Sequence, residues 1–165
     1  MERVENNKLA KRLFEKQCDD VSLKKRFEFL EHTADVYVAA YGKTLEEAFE
    51  NAALATFETM TDTKKVEPKV EDEVRVEGHD EQSLLYNWLE ELIVRFETTE
   101  NLYSRFEISH IEKRANGLKM KAKIWGETFN PDKHPQKVGI KAVTYHLMEI
   151  LKKPKAVTVR FILDI

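Results

Sequence analysis

A β-strand that passes directly into a capped helix is the feature of this sequence that most limits its fold. Residues 35–41 alternate between apolar and other side chains, which predicts a strand with one apolar face. Gly42 ends the alternation. Thr44 and Glu47 have the spacing of a capping box, in which the hydroxyl accepts a first-turn N–H and the glutamate reaches back. Apolar residues then recur at helical spacing, at Leu45, Ala48, Phe49, Ala52, Ala53, Phe57 and Met60. This combination predicts a layered domain in which strand and helix bury their apolar sides together.

A second strand and helix follow the same pattern. Residues 66–77 alternate and are interrupted near Pro68, so they form one strand or two. Asp80 or Ser83 can cap the helix that comes next. Its apolar stripe consists of Leu85, Trp88, Leu89, Leu92 and Phe96. We therefore expect two principal amphipathic helices.

The remaining segments favour strands. Residues 26–30 form a short apolar strand candidate. Residues 106–114 and 118–125 flank Ala115-Asn116-Gly117, which is a hairpin turn signal. Residues 129–137 contain two prolines and are expected to form a loop.

The C-terminal part of the chain contains one ambiguous segment. Residues 139–151 fit a helix by the spacing of their apolar residues and a strand by their composition. Residues 157–165 alternate clearly and predict a strand. We favour a terminal hairpin, because the turn at residues 152–155 is short and its second arm is unambiguous. The predicted fold class is α/β, more specifically α+β in layers, with a predominantly antiparallel sheet.

Length and composition indicate one domain with an extension. A chain of 165 residues is most simply one domain, here residues 26–165. Residues 1–25 are an N-terminal extension that forms a short helix, with Leu9 and Leu13 on one side, or is mobile. The net charge of −3 argues against a dominant nucleic-acid-binding face, so we expect no stable direct binding of nucleic acid. Cys18 is the only cysteine, and no stretch is long and apolar enough to cross a bilayer. We expect the protein to be located in the cytoplasm, and the nucleus is the alternative location.

Three oxygen donors make a divalent metal the leading hypothesis for a site. Asp35 lies near the start of its strand on the more polar side, and Asp164 lies on the polar side of the last strand. Ile165 contributes its terminal carboxylate. Calcium and magnesium prefer such ligands. Spacing alone leaves the alternative that these are solvated acids at a sheet rim. His32 is either a group that orients a carboxylate, a contact for a partner, or a polar turn residue.

Several of these segments together resemble one protein family. The sequence His-Thr-Ala-Asp at residues 32–35 is followed by the strand-to-helix segment at residues 41–53. The chain also carries Gly-Ile-Lys-Ala-Val-Thr-Tyr at residues 139–145 and ends in Asp-Ile. These features resemble the archease family, and the resemblance extends over residues 27–165.

The resemblance assigns roles to individual residues. It implies that Asp35, Asp164 and Ile165 form a divalent metal site, with calcium as the first expectation and magnesium or manganese as others. It also implies that Lys141 is needed for activation of a partner ligase, with His32 as a second candidate. By spacing alone, Lys141 would be a solvated lysine on a strand.

The same resemblance implies a function in tRNA splicing. Archeases are accessory proteins of RtcB-type RNA ligases, which join tRNA halves, and they promote guanylylation and multiple turnover of the ligase. A non-catalytic helper fits a sequence without a glycine-rich phosphate loop. The alternatives are a metal-dependent hydrolase that uses the same acids, and a general protein chaperone.

Overall fold

The computed structural model describes residues 25–165, which form seven strands and two α-helices. The strands are β1 (Phe27–Leu30), β2 (Val36–Gly42), β3 (Val70–Gly78), β4 (Asn101–Arg114), β5 (Gly117–Thr128), β6 (Ala142–Lys153) and β7 (Ala156–Asp164). The helices are α1 (Leu45–Met60) and α2 (Glu81–Thr99), and a short 3-10 helix spans Thr63–Lys65. A four-stranded sheet has the order β1-β2-β7-β6, and a three-stranded sheet has the order β3-β5-β4. Neighbouring strands in both sheets are antiparallel.

This architecture confirms the predicted α+β class with two principal helices. The predicted N-terminal extension falls almost wholly outside the described residues. No helix within residues 25–165 is long and apolar enough to cross a membrane.

The helix starts form as the sequence predicts, with one difference. The Thr44 hydroxyl accepts the N–H of Glu47 at 3.2 Å, but the Glu47 carboxylate accepts the N–H of Lys43 at 2.6 Å instead of that of Thr44. At α2, Asp80 is the cap, and it forms a complete capping box with Ser83. Side-chain acceptors therefore fix both helix starts where the chain leaves a strand.

The ambiguous segment is strand β6, so the predicted terminal hairpin is confirmed. Its pairing with β7 is interrupted between Thr144 and Glu149, and Leu147 has a φ of 55°. This bulge changes the spacing of the apolar residues along the strand. It therefore explains why the sequence also fitted a helix.

Two other predicted boundaries were wrong in detail. Strand β3 begins at Val70, because Val66 caps the 3-10 helix and residues 67–69 follow in an irregular segment. Strand β4 begins at Asn101, before the predicted residue 106, and α2 continues to Thr99.

The hydrophobic core lies around α1, which contacts both sheets. Phe57 of α1 stacks on Phe106 of the three-stranded sheet, with 5.8 Å between the ring centroids. Val38 and Phe161, on the strands of the four-stranded sheet, are buried in the same core. The Trp88 indole N–H of α2 donates to the Phe49 carbonyl of α1 at 3.0 Å. The two helices are thereby tied together inside the core.

Helix α1 also seals the free edge of β4. Glu50 and Glu46 accept the backbone N–H groups of Ile108 and Ile111 at 2.8 and 3.1 Å. Burial raises the pKa of the Glu50 carboxyl, although its hydrogen bond with Ile108 acts in the opposite direction. Unpaired strand N–H groups next to a bulge are thus satisfied by helix carboxylates.

Candidate functional site

The register of the four-stranded sheet makes Asp35 and Asp164 neighbours. Val36 of β2 pairs with Leu163 of β7 in an antiparallel ladder. Asp35 precedes Val36 and Asp164 follows Leu163, so the two acids occupy the next register position on adjacent strands. Strands β2 and β7 are the two central strands of the sheet. Two acidic residues far apart in sequence thereby fall at the same end of the sheet.

Lys141 and Ile165 belong to the same end of the sheet. The N–H of Lys141 donates to the carbonyl of Asp164 at 2.8 Å, and Ala142 pairs with Asp164. The next step of this register sets Lys141 opposite Ile165. Asp164 and Lys141 are exposed, whereas Asp35 and Ile165 are half-buried. We call this group, Asp35, Asp164, Ile165 and Lys141, the carboxylate end.

His32 lies in the β1–β2 loop, three residues before Asp35. Its ring stands edge-on to that of Tyr37, with 6.1 Å between centroids. Its Nδ1 atom is buried and has no hydrogen-bond partner among the described residues. A buried imidazole nitrogen without a partner is costly, so its presence beside Asp35 marks this loop as a place where a further polar group is expected.

The donor chemistry of the carboxylate end fits a hard divalent cation. Within residues 25–165, no three His, Cys, Asp or Glu side chains form a group that could hold a metal ion. The carboxylate end instead offers the side-chain carboxylates of Asp35 and Asp164. Calcium and magnesium accept such an oxygen set and complete it with water. Cysteine and histidine clusters, which favour zinc, are missing from this end of the sheet.

A second polar cluster surrounds Glu127 at the end of β5. Its Oε1 accepts the Glu67 N–H at 3.0 Å, lies 2.9 Å from Nε2 of His134 and 2.6 Å from Nζ of Lys133. Its Oε2 lies 3.3 Å from Nζ of Lys69. We call Glu127 with these four partners the glutamate clasp. Glu127 is buried and both of its carboxylate oxygens are paired, whereas Asp164 of the carboxylate end is exposed.

The groups in the glutamate clasp hold defined protonation states. The backbone N–H of Asn130 donates to Nδ1 of His134 at 2.9 Å, so Nε2 carries the proton that faces Glu127. Burial by itself raises the pKa of the Glu127 carboxyl. The hydrogen bonds from Lys133, Glu67, His134 and Lys69 outweigh burial and lower this pKa to about 2.

The glutamate clasp was missed as a unit by sequence reasoning. In the sequence, Glu127 and Lys133 lie near the proline-containing loop without forming a motif, and no other histidine stands three or four residues from His134. The partners of Glu127 come from two separate segments, at residues 67–69 and 133–134. No local spacing rule connects them.

The segment after the clasp leads to the carboxylate end. Lys137 and Val138 donate their backbone N–H groups to the carbonyls of Met60 and Thr59, at 3.0 and 3.3 Å. Lys141 then donates to Asp164. The clasp and the last turn of α1 therefore fix the path of the chain that delivers Lys141.

Comparison with known proteins identifies the family. Residues 27–165 match the family model that is described as "Archease protein family (MTH1598/TM1083)". Protein archease of Sulfurisphaera tokodaii is 48% identical over 140 residues, covering 85% of this chain and 99% of the relative. Protein archease of Pyrococcus abyssi is 49% identical over 130 residues, covering 79% of this chain and 91% of the relative. This chain belongs to the archease family.

Solved structures agree with the fold. The solution structure of Methanobacterium thermoautotrophicum protein 1598 superposes with a TM-score of 0.75 at 44% identity, covering 85% of this chain and 99% of that chain. An archease from Thermotoga maritima, described as a possible chaperone, superposes with a TM-score of 0.53 at 20% identity, covering 82% of this chain and 94% of that chain. The second likeness concerns the fold alone.

Proposed function

We propose that this protein is an accessory protein that activates an RtcB-type RNA ligase in tRNA splicing. It promotes the metal-dependent guanylylation of the ligase and allows multiple turnover, and it performs no catalysis alone. The proposal is supported by membership of the archease family, together with the register that sets Asp35, Asp164 and Lys141 at the ends of three adjacent strands.

Each residue of the carboxylate end has a role in this proposal. Asp35, Asp164 and the carboxylate of Ile165 hold a divalent cation, with calcium first and magnesium or manganese as alternatives. A cation bound there supplies positive charge toward phosphate or carboxylate groups of the ligase. Lys141 adds a compact cationic group beside it, suited to a phosphate or an acidic side chain. His32 supports Asp35 or contacts the ligase.

The charge of the chain suits a protein partner better than RNA. A net charge of −3 gives little electrostatic attraction to a phosphate backbone. We therefore expect the ligase, or a complex that contains it, to be the partner, with no stable binding of RNA by this protein alone. The activity belongs in the cytoplasm, and also in the nucleus wherever the ligase is present there.

A guanylylation assay tests the proposal. An RtcB-type ligase is incubated with labelled GTP and a divalent cation, with and without a substoichiometric amount of this protein. We expect faster formation of the ligase–GMP adduct and more ligated RNA per ligase molecule. No stimulation at any ratio would contradict the activator role.

The same materials separate the activator from the two alternatives. GTP turnover by this protein alone, abolished by Asp35→Ala, would instead indicate a metal-dependent hydrolase. Protection of unrelated denatured proteins, with no effect on the ligase, would indicate a general chaperone.

A further inference from the structure

A cleft opens between the C-terminal ends of the two helices, beside the segment that leads to Lys141. It has a volume of about 400 Å³ and is surrounded by the ends of α1 and α2, the start of β4 and residues 136–139. We call it the helix-end cleft. The apolar part of its wall consists of Met60, Phe96, Leu102, Phe129 and Val138. A cleft of this size and apolar character is typical of a binding pocket.

The mouth of the helix-end cleft is open and its cation is already paired. Val138 exposes 38% of its surface at the mouth, and a Cβ on Gly139 would meet nothing within 4 Å. The Lys137 ammonium donates to the side chain and the backbone carbonyl of Glu58, at 2.8 and 3.1 Å. Because the charge of Lys137 is neutralised by Glu58, the cleft suits an uncharged and mainly apolar group.

Thr61 adds a single polar group to the wall of the helix-end cleft. Its side chain is 1% exposed, and its hydroxyl has no hydrogen-bond partner within residues 25–165. The hydroxyls of Thr56 and Thr59, in contrast, donate to carbonyls of α1, each at 2.9 Å. A buried hydroxyl without a partner costs free energy. An apolar ligand that also carries one polar atom would supply the missing hydrogen bond.

We propose that the helix-end cleft binds an aromatic side chain of the ligase that docks on the carboxylate end, an inference that rests on the proposed function. Val138 and Gly139 line the cleft, and Lys141 follows within about 7 Å along the chain. A protein surface that covers Lys141 therefore also reaches the mouth of the cleft. This continuity favours a side chain of the same partner over a separate small molecule.

The wall of the cleft favours an aromatic occupant with a polar atom, tyrosine or tryptophan. Phe96 and Phe129 offer two rings, and aromatic rings attract each other in edge-on and offset arrangements. Aromatic side chains held in such pockets often contribute much of the binding energy of an interface. The hydroxyl of tyrosine or the N–H of tryptophan gives the Thr61 hydroxyl its partner.

Titration of variants in the guanylylation assay tests the contact with the ligase. Thr61→Val keeps the size of the side chain and removes the unpaired hydroxyl, so it should resist urea at least as well as the wild type. We expect the concentration for half-maximal stimulation to rise about tenfold, with the maximal stimulation unchanged because the carboxylate end is intact. Thr56→Val, whose hydroxyl is paired inside α1, should keep the wild-type value.

A second pair of variants tests the mouth of the cleft. Val138→Ser should also raise the half-maximal concentration, whereas Val94→Ser, at an exposed position of α2 outside the cleft, should not. Wild-type values for both Thr61→Val and Val138→Ser would overturn the proposal. No stimulation by the wild type itself would instead contradict the proposed function, and with it this use of the cleft.

A small probe tests the cleft without the ligase. Para-cresol, which reproduces the tyrosine side chain, is titrated into the protein while the methyl signals of Met60, Leu102 and Val138 are followed by NMR. We expect saturable shifts of these signals, an unchanged Val76 signal in the three-stranded sheet, and about tenfold weaker binding to Thr61→Val. An equimolar amount of ligase should reverse the shifts. Absence of saturable shifts, or shifts that persist with the ligase bound, would overturn the proposal.

Discussion

The carboxylate end and the glutamate clasp use similar residues for opposite purposes. In the clasp, Glu127 is buried and each carboxylate oxygen has a partner, so its polar groups hold the loop in place. At the carboxylate end, Asp164 and Lys141 are exposed, and the neighbouring His32 has a buried nitrogen without a partner. Buried polar groups that are fully paired stabilise a fold. Charged groups that lie close together without pairing are candidates for a ligand-binding site. The two regions should therefore respond differently to mutation.

The largest difference in stability should come from two glycines, one beside each region. A Cβ on Gly126 would overlap the backbone of Leu102 and Tyr103, whereas a Cβ on Gly139 meets nothing within 4 Å. We expect Gly126→Ala to lower the free energy of unfolding by about 3 kcal/mol, as an overpacked site does. Gly139→Ala should change it by less than about 0.5 kcal/mol. Urea unfolding measures both, and equal losses would show that the two regions do not differ in packing.

A smaller loss is expected when a carboxylate of each region is neutralised. Glu127→Gln removes the charge that pairs with Lys133 and Lys69, and should cost about 2 kcal/mol of unfolding free energy. Asp35→Asn should cost less than about 0.5 kcal/mol, because the change keeps the size of this half-buried side chain and opens no cavity. Thermal unfolding at pH 7 compares them. A more severe loss in Asp35→Asn would mean that the carboxylate end is part of the structural framework.

The pH dependence of stability should follow the glutamate clasp. The pKa of Glu127 falls from 4.5 to about 2 in the folded protein, so the unfolded chain binds more protons between these values. The contribution of Glu127 is complete above about pH 4.5 and is lost as the pH falls toward about 2. Urea unfolding between pH 6 and pH 3 should show a shallower decline for Glu127→Gln than for the wild type. An identical decline in both proteins would remove Glu127 from the acid response.

The smallest effect on folding, with a clear effect on binding, is expected from a C-terminal extension. A peptide carbonyl at Ile165 carries no full charge, and the added residues occupy the end of the sheet. We expect weaker calcium binding by calorimetry and an unchanged unfolding temperature. An N-terminal tag of equal length is the control. Equal calcium affinity of the two tagged proteins would exclude the Ile165 carboxylate as a ligand.

The sequence predicted what depends on neighbours along the chain. The sequence predicted Thr44 as one cap and Asp80 or Ser83 as the other, because capping needs an acceptor only three residues away from the donor. The bulge at Leu147 was not predicted. Leucine rarely adopts a positive φ, so the residue type does not indicate a bulge at this position. A bulge is decided by pairing with β7, which the local pattern does not contain.

The two polar regions show the same limit. Asp35 and Asp164 were candidates from residue type and family resemblance, but their adjacency depends on the register of β2 and β7. His134 has no histidine at ligand spacing in the sequence, and its contact with Glu127 depends on the path of the loop between them. Local spacing does not encode this long-range pairing, which determines that Glu127 lies in a paired cluster and that Asp35 and Asp164 lie at the end of a sheet.

The most direct test is ligase guanylylation with matched variants of the carboxylate end. Asp35→Ala and Lys141→Ala are compared with Glu97→Ala and Lys64→Ala, which remove an exposed acid and an exposed lysine elsewhere on the surface. All four should remain folded. We predict that the first two fail to stimulate the ligase and that the two controls stimulate it as the wild type does. Full stimulation by both Asp35→Ala and Lys141→Ala would contradict the assignment of function to this end of the sheet.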